Sequence, residues 1–226
     1  CDVRGRDLGR QLVKAAPTYD LIGLQEYYKN TVKTCNPKWF WNAVNVSDVF
    51  RSDDHHDRFK PVGVERDGGI ALLTPHRIEK RANRSWGELD VDPVFQFVNK
   101  SEEGVLFNRV RMKSGFEIDV YVVHIWSGPD NRDNRTAILE VLARDIHHNS
   151  VKRGKKNPVI VMGDFNMGGP PLKDPETGLV RGNSGYADIL RILRQPRELW
   201  REVNPRDGSP TFEPSKNTVA LGETDY

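Results

Sequence analysis

Four polar sites stand at the ends of strand-like segments, where a side chain can leave a rigid platform and meet a ligand. Glu26 follows Leu24-Gln25, and His124 closes Val120-Tyr121-Val122-Val123. Asp164 and Asn166 follow Val159-Ile160-Val161-Met162-Gly163, and Asp225 comes after Gly222-Glu223-Thr224. Carboxylates ligate hard cations through oxygen, imidazole exchanges a proton near neutral pH, and an amide donates to an oxyanion without adding charge. Singly, each has an ordinary explanation. A Glu after a buried strand is commonly solvated, a lone His is commonly a hydrogen-bonded structural residue, and Asp or Asn after Gly commonly closes a turn. It is the joint pattern that points to chemistry.

Alternating helix-like and strand-like segments must position these residues. Leu8, Leu12 and Ala15 can share one face of a helix over 6–16, and Pro17 stops it. Leu21-Ile22-Gly23-Leu24 then has the apolar run of a buried strand. From Lys29 to Arg66 the chain is polar and irregular, with Trp39, Phe40 and Trp41 as anchors. Strand-like runs return at 69–73, 94–98, 104–112 and 118–125. Ile138, Leu142 and Ile146 fall at helical spacing within 133–149, Pro158–Met162 is a further apolar strand, and a shorter helix is expected over 184–193. The order indicates an α/β chain, and residues 1–226 read as one domain because no stretch resembles a linker.

The 226 residues, 37% hydrophobic and 29% charged, describe an ordinary soluble chain able to bury a core. No apolar run approaches a transmembrane span, no signal peptide is visible, and secretion stays open. The 34 Lys+Arg against 32 Asp+Glu leave no basic excess of the kind typical of nonspecific nucleic-acid binding. Cys1 and Cys35 are too few for a disulfide scaffold; they can form one bridge or stay free.

In order along the chain, several segments resemble the endonuclease/exonuclease/phosphatase superfamily. Asp20-Leu21-Ile22-Gly23-Leu24-Gln25-Glu26 is similar to its D-x-x-x-LQE segment, and Asp67-Gly68-Gly69-Ile70-Ala71-Leu72-Leu73-Thr74 to its Gly-rich strand. Val122-Val123-His124 resembles the strand carrying the family histidine, and Asn134-Arg135 the start of the next helix. Val161-Met162-Gly163-Asp164-Phe165-Asn166 resembles the G-D-F-N signature, and Thr224-Asp225-Tyr226 the R-[LI]-D-Y strand. The resemblance implies a four-layer α-β-β-α sandwich with two mostly antiparallel or mixed sheets.

It also implies a metal-dependent phosphodiester hydrolase, in which water attacks phosphorus. Glu26 would be the principal ligand of Mg2+, with Mn2+ or another divalent ion as substitutes, since magnesium is bound by few carboxylates and keeps several waters. Asp164 would be the general base, Asn166 a donor to a phosphoryl oxygen, and His124 a stabiliser of charge on a non-bridging oxygen. Asp225 would orient a further family histidine. That histidine, in an S-D-H segment, would follow Tyr226, and an Asn-bearing strand would precede Cys1; without them the chain as given is expected to be impaired. A catalytically silent binding module on the same fold is the alternative.

Three substrate classes follow. Gly208-Ser209-Pro210-Thr211-Phe212-Glu213-Pro214-Ser215-Lys216-Asn217-Thr218 is similar to a stretch of sphingomyelinase-like members, which places a phospholipid headgroup such as that of sphingomyelin first. DNA or RNA comes second, and a small phosphomonoester or inositol phosphate third. Asn217, Trp126 and Arg135 are candidate substrate contacts. Three further groups are set aside: Ser52-Asp53-Asp54-His55-His56-Asp57 as a solvated loop, His147-His148 as a helix end favoured by the macrodipole, and Cys35 as a turn residue with nothing nearby to activate a thiol.

Overall fold

The computed structural model describes residues 2–15, 18–25, 51–54, 70–85, 104–125, 132–151, 157–167, 172–173, 180–181, 185–194, 196–197 and 199. In chain order the elements are α1 (Asp2–Ala15), β1 (Ile22–Leu24), β2 (Arg51–Asp54), β3 (Ala71–Thr74), β4 (Arg77–Ser85), β5 (Gly104–Arg111), β6 (Glu117–His124), α2 (Arg132–Ile146), β7 (Val159–Asp164), β8 (Leu172–Lys173), β9 (Val180–Arg181) and α3 (Gly185–Ile192). A turn of π-helix, His147–Val151, extends α2. The fold is mixed α/β with two principal sheets. One is three-stranded, β1-β3-β2, and antiparallel; the other is four-stranded, β4-β5-β6-β7, with antiparallel pairs up to β6 and a parallel β6–β7 pair.

Contacts divide the chain into two compact units, residues 1–126 with 144–165, and residues 127–143 with 166–226. Both principal sheets lie in the first unit. Residues at alternate positions of β5 and β6 (Leu106, Val110, Ile118, Val120, Val122) form a buried cluster with Ile70 and Leu72, and Leu21, Met112, Ile160 and Met162 pack against it. That alternation is the two-residue period of a pleated strand. Here β1 comes close to the larger sheet: a Cβ on Gly23 would lie 2.9 Å from Met162 Sδ and 3.2 Å from Val122 Cγ1. The opposite face of the larger sheet is also covered, with Phe107 and Tyr121 fully buried at a ring separation of 4.9 Å. A strand buried on both faces reads as an unbroken apolar run, which is why β6 stands out in the sequence.

Two strands do not. β2 falls inside the stretch read as irregular, and β4, Arg-Ile-Glu-Lys-Arg-Ala-Asn-Arg-Ser, shows no apolar alternation. Each is the last strand on one side of its sheet among the described residues. Charged side chains are the usual protection of such an edge, because they discourage pairing with another chain. The β4 ladder is interrupted between Ile78 and Lys80. At the skipped residue, Glu79, the carboxylate meets Arg77 at 3.2 Å and Arg111 at 2.9 Å.

In the second unit, Ile138, Leu139, Val141 and Leu142 of α2 are buried, β8 and β9 pair antiparallel, and the turn that follows α3 contains Arg194, whose φ of 62° lies in the left-handed region. The expected strand at 94–98, both cysteines and the aromatic anchors Trp39, Phe40 and Trp41 lie outside the described residues.

Candidate functional site

The parallel β6–β7 pair carries the site. Its register runs without a break from Asp119↔Val159 to His124↔Asp164. The backbone N–H of Ile125 then donates to the carbonyl of Asp164 at 2.9 Å, one step past the last pair. Neighbouring strands lie ~4.8 Å apart, so the imidazole and the carboxylate leave adjacent backbones at the same level. Their environments differ: His124 is only 3% exposed, whereas Asp164 is open to solvent. A buried ring fixed by its surroundings suits a donor aimed at one place; an exposed carboxylate suits contact with water and ligand.

Gly163 explains how the carboxylate reaches that position. Its φ is 136°, and an added Cβ would overlap the carbonyl oxygen of Val123, its register partner. Only glycine tolerates both. Asn166, two residues beyond Asp164, has φ 46°; asparagine is among the few residues that adopt the left-handed region at modest cost.

At the opposite end of the same strands is a polar group that sequence reasoning missed. Arg109 donates to both carboxylate oxygens of Asp119, Nε at 2.7 Å and Nη2 at 2.8 Å. Asn157 Nδ2 donates to Oδ1 at 3.3 Å, Ser150 hydrogen-bonds the same carboxylate, and the Asp119 backbone N–H donates to Pro158 O at 2.9 Å. The Asp119 side chain is fully buried and that of Arg109 is 14% exposed. Burial pushes the Asp119 carboxyl up, but the hydrogen bonds from Arg109, Ser150 and Asn157, with the guanidinium charge, outweigh it and hold it below its ordinary value. The hydrogen bond to Asp119 likewise raises Arg109. The available signal was a charged residue inside an apolar run, Ile118-Asp119-Val120.

Asp20, part of the LQE-type segment, has a structural role. Its carboxylate is 2.8 Å from His76 Nε2, and its carbonyl accepts from Thr74 Oγ1 at 2.8 Å, tying the start of β1 to the end of β3.

Of the expected site residues, the structure places His124 and Asp164 side by side. Asn166 and Arg135 belong to the second unit, Arg135 in the first turn of α2 and part-exposed. Glu26, Trp126, Asn217 and Asp225 fall outside the described residues, as do the whole of the Gly208–Thr218 stretch and the Ser52–Asp57 cluster beyond Asp54. Gln25, immediately before Glu26, has its Nε2 buried with no hydrogen-bond partner among the described residues. No group of three or more His, Cys, Asp or Glu gathers among the described residues. A hard cation held by one or two carboxylates and waters does not need such a group, so this does not count against the magnesium that Glu26 is expected to hold.

The sequence model of the endonuclease/exonuclease/phosphatase family matches residues 2–213. The chain belongs to this family. No curated protein matches its sequence, but solved structures share its fold. Sphingomyelinase C from Streptomyces griseocarneus is 15% identical with a TM-score of 0.59, over 84% of this chain and 63% of that one. A beta toxin variant from Staphylococcus aureus, solved with bound magnesium ions, is 14% identical with a TM-score of 0.57 and the same coverage. D. rerio TDP2, complexed with a single-strand DNA product, is 16% identical with a TM-score of 0.56, over 92% of this chain and 66% of that one. The chain thus spans a little under two thirds of the sphingomyelinase and the toxin. The mixed α/β fold with two sheets is consistent with the family's.

Proposed function

We propose that this protein is a magnesium-dependent phosphodiester hydrolase, and that residues 1–226 act as one domain. The observation that carries the reading is the His124↔Asp164 pair at the end of β6 and β7. A single family model running through both compact units, over residues 2–213, supports the one-domain view.

Glu26 would hold Mg2+, with Mn2+ or another divalent ion able to substitute. The ion, when bound, neutralises phosphate oxygens and favours ionised water. Asp164, exposed and beside His124, orients the attacking water and takes its proton. His124 donates to a non-bridging oxygen as charge develops there. The Asn166 amide donates to a phosphoryl oxygen without adding negative charge. Asp225 has an orienting role, and Arg135, Trp126 and Asn217 contact substrate.

The preferred substrate is a phospholipid-type phosphodiester such as sphingomyelin. The segment from Gly208 to Thr218 supports this, as does the structural relative named a sphingomyelinase. The relative complexed with DNA supports a nuclease as the second reading. No described helix is long and apolar enough to cross a membrane.

Parallel assays of the full-length protein with magnesium, on sphingomyelin micelles and on plasmid DNA, test the proposal. Choline-phosphate release abolished by Glu26→Ala is the expected result. Nicking without choline-phosphate release would move the reading to a nuclease. Inertness with every divalent metal would leave a silent binding module.

A further inference from the structure

The geometry points to Asp119, with Arg109, as a positioning device that sets the β6–β7 register and so brings His124 level with Asp164. This rests on the hydrolase reading for its consequence in catalysis, though not for its structural content. Asp119 is the first residue of the β6–β7 ladder and His124 the last, with five unbroken steps between them. Whatever fixes the first pair fixes the last, because a slip of one residue displaces every pair by ~3.3 Å. A parallel pair has no hairpin turn to set its register, so the information must come from side chains or from close backbone contact.

Three chain segments converge on the Asp119 carboxylate. Arg109 comes from β5, Ser150 from the π-helical turn after α2, and Asn157 from the residue pair that leads into β7. The turn is itself held from several sides. Arg109 Nη2 donates to Asn149 O at 3.4 Å, Lys80 Nζ to Asn149 Oδ1 at 3.3 Å, and Asn149 Nδ2 to Asp145 Oδ1 at 3.0 Å, while Tyr121 Oη lies 3.4 Å from Ser150 Oγ. The segment that returns from β6 to start β7 is thereby anchored to β4, β5 and β6 before the ladder begins. Gly163 against Val123 is a second, local restraint at the far end. The device around Asp119 decides where β7 starts; the glycine permits the final approach.

A role in stability alone and a role in positioning separate in a pair of variants. Asp119→Asn leaves the Arg109 charge without its counter-charge, and is expected to lower both thermal stability and kcat. Arg109→Met with Asp119→Leu removes both charges, a replacement that commonly restores stability. The double variant is expected to recover its melting temperature, while kcat stays ~10- to 100-fold below wild type with KM within about twofold, since small misplacement of reacting groups costs rate rather than affinity. Recovery of melting temperature and kcat together would overturn the inference. Amide exchange supplies a readout independent of turnover. In the double variant the Ile125 N–H, which donates to Asp164 O, should exchange at least ~10-fold faster while Leu106 in β5 keeps its protection. Unchanged Ile125, or equal loosening of both, sinks the device even if the wild-type protein hydrolyses nothing; faster Ile125 exchange in an inert protein would sink only the hydrolase reading.

Discussion

Gly163 lies so close to Val123 that a Cβ at position 163 would overlap the Val123 carbonyl oxygen. Because backbone stands on the other side of the contact, no side chain can swing away to make room, and the φ of 136° adds strain for any L-residue. Gly163→Ala should therefore cost about 3 kcal/mol or more in urea unfolding, and carry Asp164 away from His124. Its loss of turnover per folded molecule should exceed that of a surface variant of equal instability. Wild-type stability would show that β7 can bend away from β6 there without penalty.

Asp164→Asn should behave in the opposite way. The side chain is exposed at the end of β7, so the melting temperature should hardly move; changes at such positions stay within about 0.5 kcal/mol. If the carboxylate takes the proton of the attacking water, kcat falls by about a hundred to ten thousand with KM little altered. Steady-state kinetics on whichever phosphodiester the protein hydrolyses, with calorimetry on the same sample, check both halves. An Asn variant retaining full kcat would remove Asp164 from the base role.

The most legible part of this fold was the part buried on two faces. Val120–Val123 are apolar at successive positions because β6 is buried on both faces; Val159–Val161, though only part-buried, are equally apolar, so the strand character and polar ends of both were readable. β2 and β4 were not, because edge strands carry charge for reasons that erase the alternation by which a strand is read. The pairing of His124 with Asp164 was also invisible as geometry: α2 and its π-turn separate the two strands, and nothing local sets parallel register. Arg109 and Asp119 were closer to legibility. They sit ten residues apart across the β5–β6 hairpin, where a buried Asp amid β-branched residues asks for a partner on the next strand.

Asn108 offers a test of the inter-sheet core. It is fully buried on β5, between Leu106 and Val110 and opposite Val120, and neither Oδ1 nor Nδ2 has a hydrogen-bond partner among the described residues. An amide in that state costs about 1–3 kcal/mol relative to a paired one. Asn108→Leu, close in shape and apolar, is expected to raise the urea midpoint, by about 1 kcal/mol once imperfect packing is allowed for. A drop in stability would mean that the amide is satisfied, for instance by an internal water, and that Asn108 belongs to a polar feature of the core.

The pH dependence of stability should carry the signature of Asp119. Burial raises its carboxyl, the bonds from Arg109, Ser150 and Asn157 and the guanidinium charge lower it further than that, and the net shift is downward. A carboxyl depressed in the folded state stabilises fully above its unfolded value of about 3.9, and that contribution disappears as pH falls through the folded value. Arg109, raised from an already high value, stays charged throughout. Asp119→Asn lacks the ionisation, so the gap between wild type and variant should be constant from about pH 5 to 8 and shrink progressively below about pH 4. Its plateau should be of the order of 3 kcal/mol, the cost of leaving one member of a buried pair uncompensated. Urea midpoints at pH 7, 5 and 3 measure it. A gap as wide at pH 3 as at pH 7 would mean that shape and hydrogen bonding, not the charge on Asp119, hold Arg109 and the start of β7 in place.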